Sequence, residues 1–360
     1  MELVNQIQTN KTIEAIRLTV LKAQTIGISG HINPDGDSIG SLLSLGFGLE
    51  KLGKKVYMLS SEPVPQKYRM LPGSHRITSA IPDRLDVAIA VDCGGYDMLG
   101  SMRAAFQKAG TTIEIDHHPS RTPFADLTWV DTKAAAVGEI IFRFLRQLNI
   151  GLDENIAQNI LTSIIVETNS FRIPHIRPQT FEICSQLMKA GADFYRLAEQ
   201  ILWIKKREAT QLAGICMARA KTMCDGKLMW SMVSHKDLRV TGAQDSDIDP
   251  VVDKMQAIEG VEVAILFRQK NKNFLRVSFR SREGINVAHL AEKFGGGGHF
   301  TVAGCLVPNK KRIRRRILQH AQGYVLSAKP YVSTSPLKLH QKEKSSPIEF
   351  SSCIGKAGLG

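Results

Sequence analysis

Imidazoles and carboxylates recur at three places in the first third of the chain, each time directly after a short apolar run. They are His31, Asp35 and Asp37, then Asp92, then Asp116-His117-His118. Histidine nitrogens and carboxylate oxygens together suit Mn²⁺, Mg²⁺ or a similar divalent ion. If the three groups meet in space, they can form a two-metal site.

The apolar runs before these groups predict strands, and helical patterns alternate with them. The predicted strands are Thr25–Ser29, Lys55–Leu59, Leu85–Val91 and Thr112–Ile115. The predicted helices are Asp37–Leu52, Met98–Ala109 and Ala134–Leu148. Alternation of Val/Ile-rich strands with helices predicts a parallel sheet covered on both faces. Because ligand sites in such sheets lie at the carboxyl ends of the strands, we expect the three groups to converge there.

Each group also has a structural explanation when taken alone. An aspartate after a strand often forms a turn or caps a helix, and a buried His-His pair is often structural. Three such groups at the ends of three strands favour a functional site over these separate explanations.

Two nucleophiles compete with the metal hypothesis. Gly36-Asp-Ser38-Ile-Gly40 fits the G-x-S-x-G elbow of serine hydrolases, and Asp92 and His117 follow in the right order. An elbow serine follows its strand at once, however, whereas Ser38 falls in the first turn of the predicted helix. Cys93 lies beside Asp92, but no separate base is evident, so a packed cysteine is the better interpretation.

The second half of the chain carries a different signal. A break at Asp225-Gly226 precedes a new set of elements. The predicted strands are Lys227–Val233, Val261–Arg268, Phe274–Phe279 and Thr301–Val307, and the predicted helices are Val287–Phe294 and 311–328. The run Gly295–His299 places four glycines before a histidine, and their amides can crowd an anion. On the strand before it, Arg276, Ser278 and Arg280 share one face that suits phosphate.

Composition limits the class of substrate. The net charge is +13, but Asn309 onward holds 11 Lys/Arg against two Glu, so the first 308 residues carry only +4. That balance favours small anionic substrates over long duplexes. The basic stretch Lys310–Arg316 is interpreted as a solvated helix face, with recruitment of RNA or an anionic membrane as the alternative.

No run is long and apolar enough to span a bilayer, and no secretory signal is evident. Six scattered cysteines indicate reduced thiols. We therefore expect a cytoplasmic protein.

Together these residues resemble the DHH phosphoesterase superfamily with an attached DHHA1 domain. Asp116-His117-His118 matches the name-giving motif, His31-x-x-x-Asp35-x-Asp37 the first motif, and Gly295–His299 the DHHA1 glycine loop. The resemblance implies an α/β fold with an N-terminal DHH domain, whose parallel sheet is flanked by helices, and a smaller C-terminal α+β DHHA1 domain. The expected organisation is 1–190 for the DHH catalytic domain, 191–225 for a helical connector, 226–328 for the DHHA1 substrate-binding domain and 329–360 for a disordered basic tail.

The resemblance also implies roles for particular residues. His31, Asp35 and Asp92 would hold one metal, while Asp37, Asp92 and His117 would hold the second, so that Asp92 bridges them. His118 would face the scissile phosphate, which makes His118 and Asp92 the expected catalytic residues. The expected substrate-binding residues are Arg280, Ser278, Gly296, Gly297, Gly298 and His299.

One part of the chain departs from the family. The remaining acid of the family usually lies in a D-T-G-x-F element, which reads Glu167-Thr168-Asn169-Ser170-Phe171 here. Glutamate keeps the carboxylate but adds a methylene, and asparagine tolerates a left-handed backbone better than most residues. We expect Glu167 to be a metal ligand, with metal preference and rate as the properties that the change affects.

Among DHH proteins the chain is most similar to bifunctional oligoribonucleases that also remove the 3′-phosphate of 3′-phosphoadenosine 5′-phosphate (pAp). The resemblance implies two divalent metal ions, with Mn²⁺ favoured over Mg²⁺ or Co²⁺, and short single-stranded RNA or small nucleotides as substrates. Cyclic or linear dinucleotide phosphodiesterase and a non-catalytic nucleotide-binding module are the alternatives. Long duplexes are not expected as substrates, and a homodimer is left open.

Overall fold

A computed structural model describes residues 2–173, 176–282, 284–298 and 300–328. The chain divides into two compact units, of which the first ends at Lys205 and the second begins at Lys206. This division lies inside the stretch 191–225 that the sequence assigned to a connector. The C-terminal stretch 329–360, expected to be a disordered tail, lies outside the described residues.

The first unit alternates strands and helices. Its strands are β1 (Thr25–Ser29), β2 (Lys55–Leu59), β3 (Leu85–Val91), β4 (Ala109–Asp116) and β5 (Leu127–Val130). Its helices are α1 (Glu2–Lys22), α2 (Gly36–Lys51), α3 (Arg103–Gln107), α4 (Val137–Gln147), α5 (Glu154–Glu167), α6 (Pro178–Lys189) and α7 (Phe194–Ala198). The five strands form one sheet in the order β2-β1-β3-β4-β5, and every neighbouring pair is parallel. The predicted parallel sheet is therefore confirmed.

Both faces of this sheet are buried, which explains why its strands read as continuous apolar runs. Alternate residues of β3 point to opposite faces: Val87 and Ile89 join the larger core with α2, α4 and α5, and Ala88 and Ala90 join a smaller core. The carboxyl ends of β1, β3 and β4 therefore lie side by side at one edge, and the loops that carry the polar groups leave from that edge.

Two local predictions in the first unit were wrong. The pattern Met98–Ala109 is not one helix, because a short 3₁₀ segment, Tyr96–Met102, precedes α3 and Gly100 inside it has φ +55°. Ala109 already begins β4. The sequence from 153 to about 220 predicts helix throughout, but three left-handed residues, Asn169, Ser170 and Phe171, follow α5 and end it.

The second unit has a mixed sheet. Its strands are β6 (Lys221–Met223), β7 (Leu228–Val233), β8 (Val263–Gln269), β9 (Phe274–Ser281), β10 (Gly297–Gly298) and β11 (Val302–Pro308). Its helices are α8 (Arg207–Ala218), α9 (His235–Thr241), α10 (Asp249–Gln256), α11 (Val287–Glu292) and α12 (Lys311–Ser327). The sheet order is β10-β11-β9-β8-β7-β6, and only the β7–β8 pair is parallel. The expected smaller α+β domain is confirmed.

Two cores stabilise this unit. α11 and α12 pack on one face of the sheet through residues such as Leu290 and Ile317, while α8 and α10 pack on the other through Leu212 and Val252. No helix within the described ranges is long and apolar enough to cross a membrane. The five cysteines that the structure describes are unpaired, and all except Cys224 are buried.

Candidate metal centre

The turn between β1 and α2 brings the first polar group to the sheet edge. Asp35 is the N-cap of α2, and its Oδ1 accepts hydrogen bonds from the amides of Asp37 at 2.9 Å and Ser38 at 3.0 Å. Asp35 therefore caps α2, as an aspartate that follows a strand often does. It also fixes the direction of Asp37, which is fully buried in the first turn of α2.

Asp92 follows β3 and lies at the centre of the cluster. Its backbone is left-handed, with φ +56°, and its amide donates to the carbonyl oxygen of Ile115 at 3.0 Å. This local conformation points its buried carboxylate at three histidines. Asp92 Oδ2 lies 3.4 Å from His31 Nε2, and its Oδ1 lies 3.9 Å from His117 Nε2 and 3.6 Å from His118 Nδ1.

Two further carboxylates complete the surroundings of His117. Its Nε2 lies 3.7 Å from Asp37 Oδ2 and 3.8 Å from Glu167 Oε1. Glu167 is the last residue of α5, so a helix that begins more than 120 residues after His31 supplies the final acid. The glutamate reaches the centre, and Asn169 has the left-handed backbone that its side chain tolerates, with φ +46°.

These side chains form three overlapping groups with metal-ligand chemistry. The groups are His31, Asp35 and Asp92; Asp37, His117 and Glu167; and Asp92, His117 and His118. Within each group the ligand atoms lie within 4.8 Å of one another. The structure thus brings together all six residues that the sequence predicted as metal ligands.

The electrostatics of the centre favour the binding of positive charge. Burial raises the pKa of Asp37 well above its usual value, and the neighbouring Asp92, Glu167 and Asp35 raise it further. Burial also raises the pKa of Glu167, where the pull of His117 only partly opposes it. Burial lowers the pKa of His31, but Asp35 and Asp92 outweigh it and raise the value to about 11. A divalent cation would relieve the mutual repulsion of these carboxylates and displace the proton of His31.

The histidine hydrogen bonds fit metal ligation. His117 Nδ1 lies 3.2 Å from the carbonyl oxygen of Ala134, and His31 Nδ1 lies 2.6 Å from that of Ile32. Donation from Nδ1 leaves the lone pair of Nε2 facing the carboxylates, which is the arrangement found in metal-binding histidines. Among the described residues, the buried His117 Nε2 has no hydrogen-bond partner. The donor set therefore fits a divalent cation.

His118 is held differently. Its Nδ1 donates to Asp116 Oδ1 at 2.8 Å, and the same oxygen accepts the amides of His117 at 2.7 Å and His118 at 3.3 Å. The hydrogen bond with Asp116 outweighs burial and raises the pKa of His118 to about 9. This bond occupies Nδ1, and one third of the side chain is exposed. The arrangement suits a proton or hydrogen-bond donor for an anion better than a metal ligand.

Hydrogen bonds from α2 itself and from two other helices also hold Asp37, and the sequence did not indicate them. Its Oδ1 accepts from Ser163 Oγ at 2.6 Å and Ser41 Oγ at 3.1 Å, and its Oδ2 accepts from the amide of Val137 at 2.9 Å. Ser163 Oγ in turn accepts the amide of Gly138 at 2.9 Å. Asp37 and Ser163 therefore accept hydrogen bonds from the first two amides of α4. The N-terminus of that helix stabilises the negative charge of Asp37.

We expect Ser163→Ala to weaken Mn²⁺ binding about 10- to 100-fold, because partners that orient a metal ligand typically contribute that much. The amide of Gly138 would also lose its acceptor, at a cost of about 1–3 kcal/mol in the free energy of unfolding. Isothermal titration calorimetry measures the affinity. Ser44→Ala is the matched control, because this buried α2 hydroxyl donates only to Ser41 O. Equal Mn²⁺ affinity in both variants would contradict the positioning role.

The two competing nucleophiles are not supported. Ser38 is buried in the first turn of α2, as the sequence argument against an elbow predicted. Cys93 is fully buried in the smaller core, and burial raises the pKa of its thiol to about 12. Neither group is accessible as a nucleophile.

The second unit contains a cationic cavity at part of the predicted substrate-binding region. Its volume is about 510 Å³, and it is lined by Lys270, Arg276, Gly296, Gly297, Gly304, Cys305 and Leu306. Lys270 was not predicted, and Arg276 was indicated only by the alternation of polar residues on β9. Arg280 Nε, by contrast, donates to Asp253 Oδ1 at 2.6 Å, and Ser278 pairs with Gly304 in the β9–β11 ladder.

Close contacts require glycine at two positions of the run. A Cβ on Gly296 would collide with the carbonyl oxygen of Gly304, and a Cβ on Gly298 would collide with that of Val302. Gly295 and Gly297 have open space beside them. The sequence prediction for His299 lies outside the described residues.

Comparison with known proteins identifies two family domains. The model of the DHH family, N-terminal domain, matches residues 25–166, which contain most of the metal centre. The model of the DHHA1 domain matches residues 233–325, which contain the cationic cavity. The two matches cover separate units of the structure and occur in the order that the sequence indicated.

Individual relatives match over most of the chain. The bifunctional oligoribonuclease and PAP phosphatase NrnA of Thermus thermophilus is 29% identical over 295 residues, which cover 81% of this chain and 88% of that protein. The cyclic-di-AMP phosphodiesterase PdeA of Listeria monocytogenes is 24% identical, over 84% of this chain and 48% of that protein. The crystal structure of an exopolyphosphatase-related protein from Bacteroides fragilis matches with a TM-score of 0.82 and 21% identity, over 88% of this chain and 97% of that one, which supports the fold.

Proposed function

Because the chain belongs to the DHH family and carries a DHHA1 domain, we propose that it is a metal-dependent phosphoesterase that hydrolyses very short oligoribonucleotides to mononucleotides and removes the 3′-phosphate of pAp. The similarity to the oligoribonuclease and PAP phosphatase of Thermus thermophilus supports this substrate class. The proposed ions are two divalent cations, with Mn²⁺ favoured.

One observation carries the proposal. The buried His117 Nε2 faces the carboxylates of Asp37, Asp92 and Glu167 at 3.7, 3.9 and 3.8 Å. These separations exceed a hydrogen bond, so the nitrogen and the oxygens surround a common point instead of pairing with one another. A cation shared by these atoms accounts for the arrangement.

The residues divide into those that hold cations and those that act on the substrate. We assign His31, Asp35 and Asp92 to one ion and Asp37, His117 and Glu167 to the other, with Asp92 contributing to both. Divalent ions held there would lower the pKa of a water nucleophile and offset charge on the phosphoryl oxygens.

His118 acts on the substrate side of this centre. Asp116 fixes the imidazole through Nδ1, which leaves Nε2–H free to donate to a phosphoryl oxygen. The hydrogen bond with Asp116 raises the pKa of His118, which favours the protonated ring. The charge of His118 therefore stabilises the negative charge that builds up on the phosphoryl group.

The cavity of the second unit suits the anionic part of a nucleotide. Lys270 and Arg276 line this cavity together with Gly296 and Gly297, and the lack of a Cβ at the two glycines allows close approach of phosphate oxygens. We therefore assign substrate phosphate binding to this cavity, where Lys270 also lies 3.4 Å from Asp245. Arg280 lies outside the cavity lining and is paired with Asp253, so we treat it as a secondary contact.

Arg276→Gln is expected to raise KM about tenfold while kcat changes little, because a charge-assisted contact to phosphate contributes roughly 1.5–3 kcal/mol when it is retained through the reaction. Steady-state kinetics on a dinucleotide measures both constants. Arg239→Gln removes the same charge from an exposed position on α9 and serves as the control. If kcat fell and KM stayed constant, the binding assignment would be wrong.

The substrate class can be tested with one panel. The protein is incubated with Mn²⁺ and, separately, a diribonucleotide, pAp, a cyclic dinucleotide and its linear product, and the specific rates are compared. The proposal expects the highest rates for the diribonucleotide and pAp. A dominant rate on cyclic dinucleotides would instead favour the second candidate, a cyclic-dinucleotide phosphodiesterase, which the similarity to PdeA supports. No turnover of any of these compounds would reject both enzymatic functions and favour the non-catalytic nucleotide-binding module.

A further inference from the structure

Helix α12 presents a cationic surface that the proposed catalytic function does not use. Its sequence begins Lys-Arg-Ile-Arg-Arg-Arg, and no aspartate or glutamate occurs between Lys293 and Ala328. The side chains of Lys311, Arg312, Arg315 and Arg316 are exposed. At about 100° per residue these four side chains span roughly 140° of the helix circumference, so they form one continuous face, called here the α12 basic face.

The opposite face of α12 packs against the core of the second unit. Ile317, Ala321 and Val325 are buried in the core of the second unit, and Ile313 and Tyr324 pack against it. The helix is therefore anchored, so packing fixes the side of the second unit on which its cations lie. A helix that is already ordered does not have to lose backbone entropy when a ligand binds.

The cations of this face have no acidic neighbours in the part of the chain that the structure describes. None of the four lies within 4 Å of a carboxylate, whereas Arg268 on β8, Lys270 just after it and Arg280 on β9 all have aspartate partners. Solvated surface cations usually alternate with acids. Four unneutralised charges on one rigid face therefore indicate a polyanionic partner.

The loop between β8 and β9 extends this surface. Asn309, just before α12, donates its amide to the carbonyl oxygen of Asn273 at 2.7 Å and its Nδ2 to that of Lys272 at 3.3 Å. These bonds hold the loop beside the start of the helix. The exposed Lys272 and Lys310 are thereby added to the same end of α12.

We propose that the α12 basic face binds the phosphate backbone of single-stranded RNA longer than the hydrolysed substrates. Lys311 and Arg315, and likewise Arg312 and Arg316, are separated by one helical turn, about 6 Å along the axis, which is close to the spacing of successive phosphates on a strand. Guanidinium groups match phosphate oxygens in a bidentate manner. The choice of RNA over other polyanions rests on the proposed function. The existence of the charged surface is independent of that function.

An anionic membrane fits the surface less well. Helices that lie in a membrane interface bury an apolar face among the lipids. The apolar face of α12 is already occupied by the core, and Leu326 is the large apolar side chain that this helix exposes. Binding of α12 to an anionic bilayer would therefore depend on electrostatic attraction alone.

The test measures binding of the full-length protein to a fluorescent single-stranded RNA of about 20 nucleotides by anisotropy, in EDTA to prevent metal-dependent cleavage. The variant combines Lys311→Gln, Arg312→Gln, Arg315→Gln and Arg316→Gln. Its matched control combines Lys108→Gln, Lys236→Gln, Arg239→Gln and Lys254→Gln, which remove the same charge from exposed positions elsewhere. We expect the variant, but not the control, to bind at least about tenfold more weakly. The slope of the logarithm of its binding constant against the logarithm of the salt concentration should be smaller in magnitude by up to about 3, because each phosphate contact adds roughly 0.7 to that slope.

Several outcomes separate this inference from its rivals. Hydrolysis of a diribonucleotide with Mn²⁺ should be equal in the α12 variant and the control, which also shows that the variant is folded. If the wild-type protein does not bind the RNA, or if the variant binds as tightly as the control, the proposal is overturned. It is also overturned if the variant loses only binding to phosphatidylserine-containing vesicles. A wild-type protein that binds RNA through α12 but hydrolyses none of the small substrates would reject the proposed function and leave this inference intact.

Discussion

Asp92→Asn is expected to lower kcat by about 10³-fold or more while the protein remains folded. The carboxylate of Asp92 faces His31, His117 and His118 at 3.4–3.9 Å, so its removal weakens the holding of both proposed cations. Metal ions contribute several kcal/mol of transition-state stabilisation, and each 1.36 kcal/mol is a factor of ten in rate.

Asparagine is the appropriate replacement for two reasons. It keeps the size of the side chain, and it tolerates the left-handed backbone at this position, where φ is +56° and alanine would add about 1–2 kcal/mol of strain. Thermal unfolding in EDTA should therefore change little. Asp83→Asn, on an exposed loop, is the control for loss of one carboxylate. Near-normal turnover by Asp92→Asn in Mn²⁺ would refute the bridging role.

Removal of divalent cations is expected to abolish turnover and to lower the melting temperature. The carboxylates of Asp35, Asp37, Asp92 and Glu167 crowd one another, and the raised pKa values of Asp37 and Glu167 show that their charged forms are disfavoured without a cation. A cation at about 100 times its dissociation constant would add about 2.7 kcal/mol to the free energy of unfolding. For a unit of this size that corresponds to a rise in melting temperature of roughly 5–10 °C.

The measurement is a thermal scan in EDTA and after addition of Mn²⁺, together with the rate on a diribonucleotide. Calorimetric titration gives the number of ions bound, for which we expect two. Asp92→Asn should lose most of the Mn²⁺-dependent rise, and Ser163→Ala should require higher Mn²⁺ to reach it. A wild-type protein that is equally stable and active in EDTA would remove the basis of the proposed function.

Local sequence determined the elements around the centre. The bounds of β1, β2 and β3 agree with the predicted strands at both ends. In β1 and β3, short apolar runs that are buried on both faces leave little choice of structure. The order of strands and helices also predicted which loops share one sheet edge. The sequence therefore predicted that His31, Asp92 and His117 lie close together.

Weakly patterned elements were missed. β5 is a four-residue strand, and β6 has three residues at the end of its sheet, so neither has room for a periodic signal. α1 begins with a polar stretch that carries no clear apolar spacing. α9 and α10 are short and are specified by their caps and packing, such as the Ser234 capping box, more than by a repeating pattern.

By itself, then, the sequence determined the kinds of ligand atom in the centre and the strand ends that carry them. Only the tertiary structure decided that Ser163 would reach Asp37 across 126 positions, and that Lys270 and Arg276 would share a cavity with Gly296. It also decided that α12 would turn its apolar side inward and leave Lys311, Arg312, Arg315 and Arg316 exposed. The physical reason is range: strand and turn preferences act between neighbours, whereas these contacts depend on how separate helices and strands pack, which no local pattern encodes.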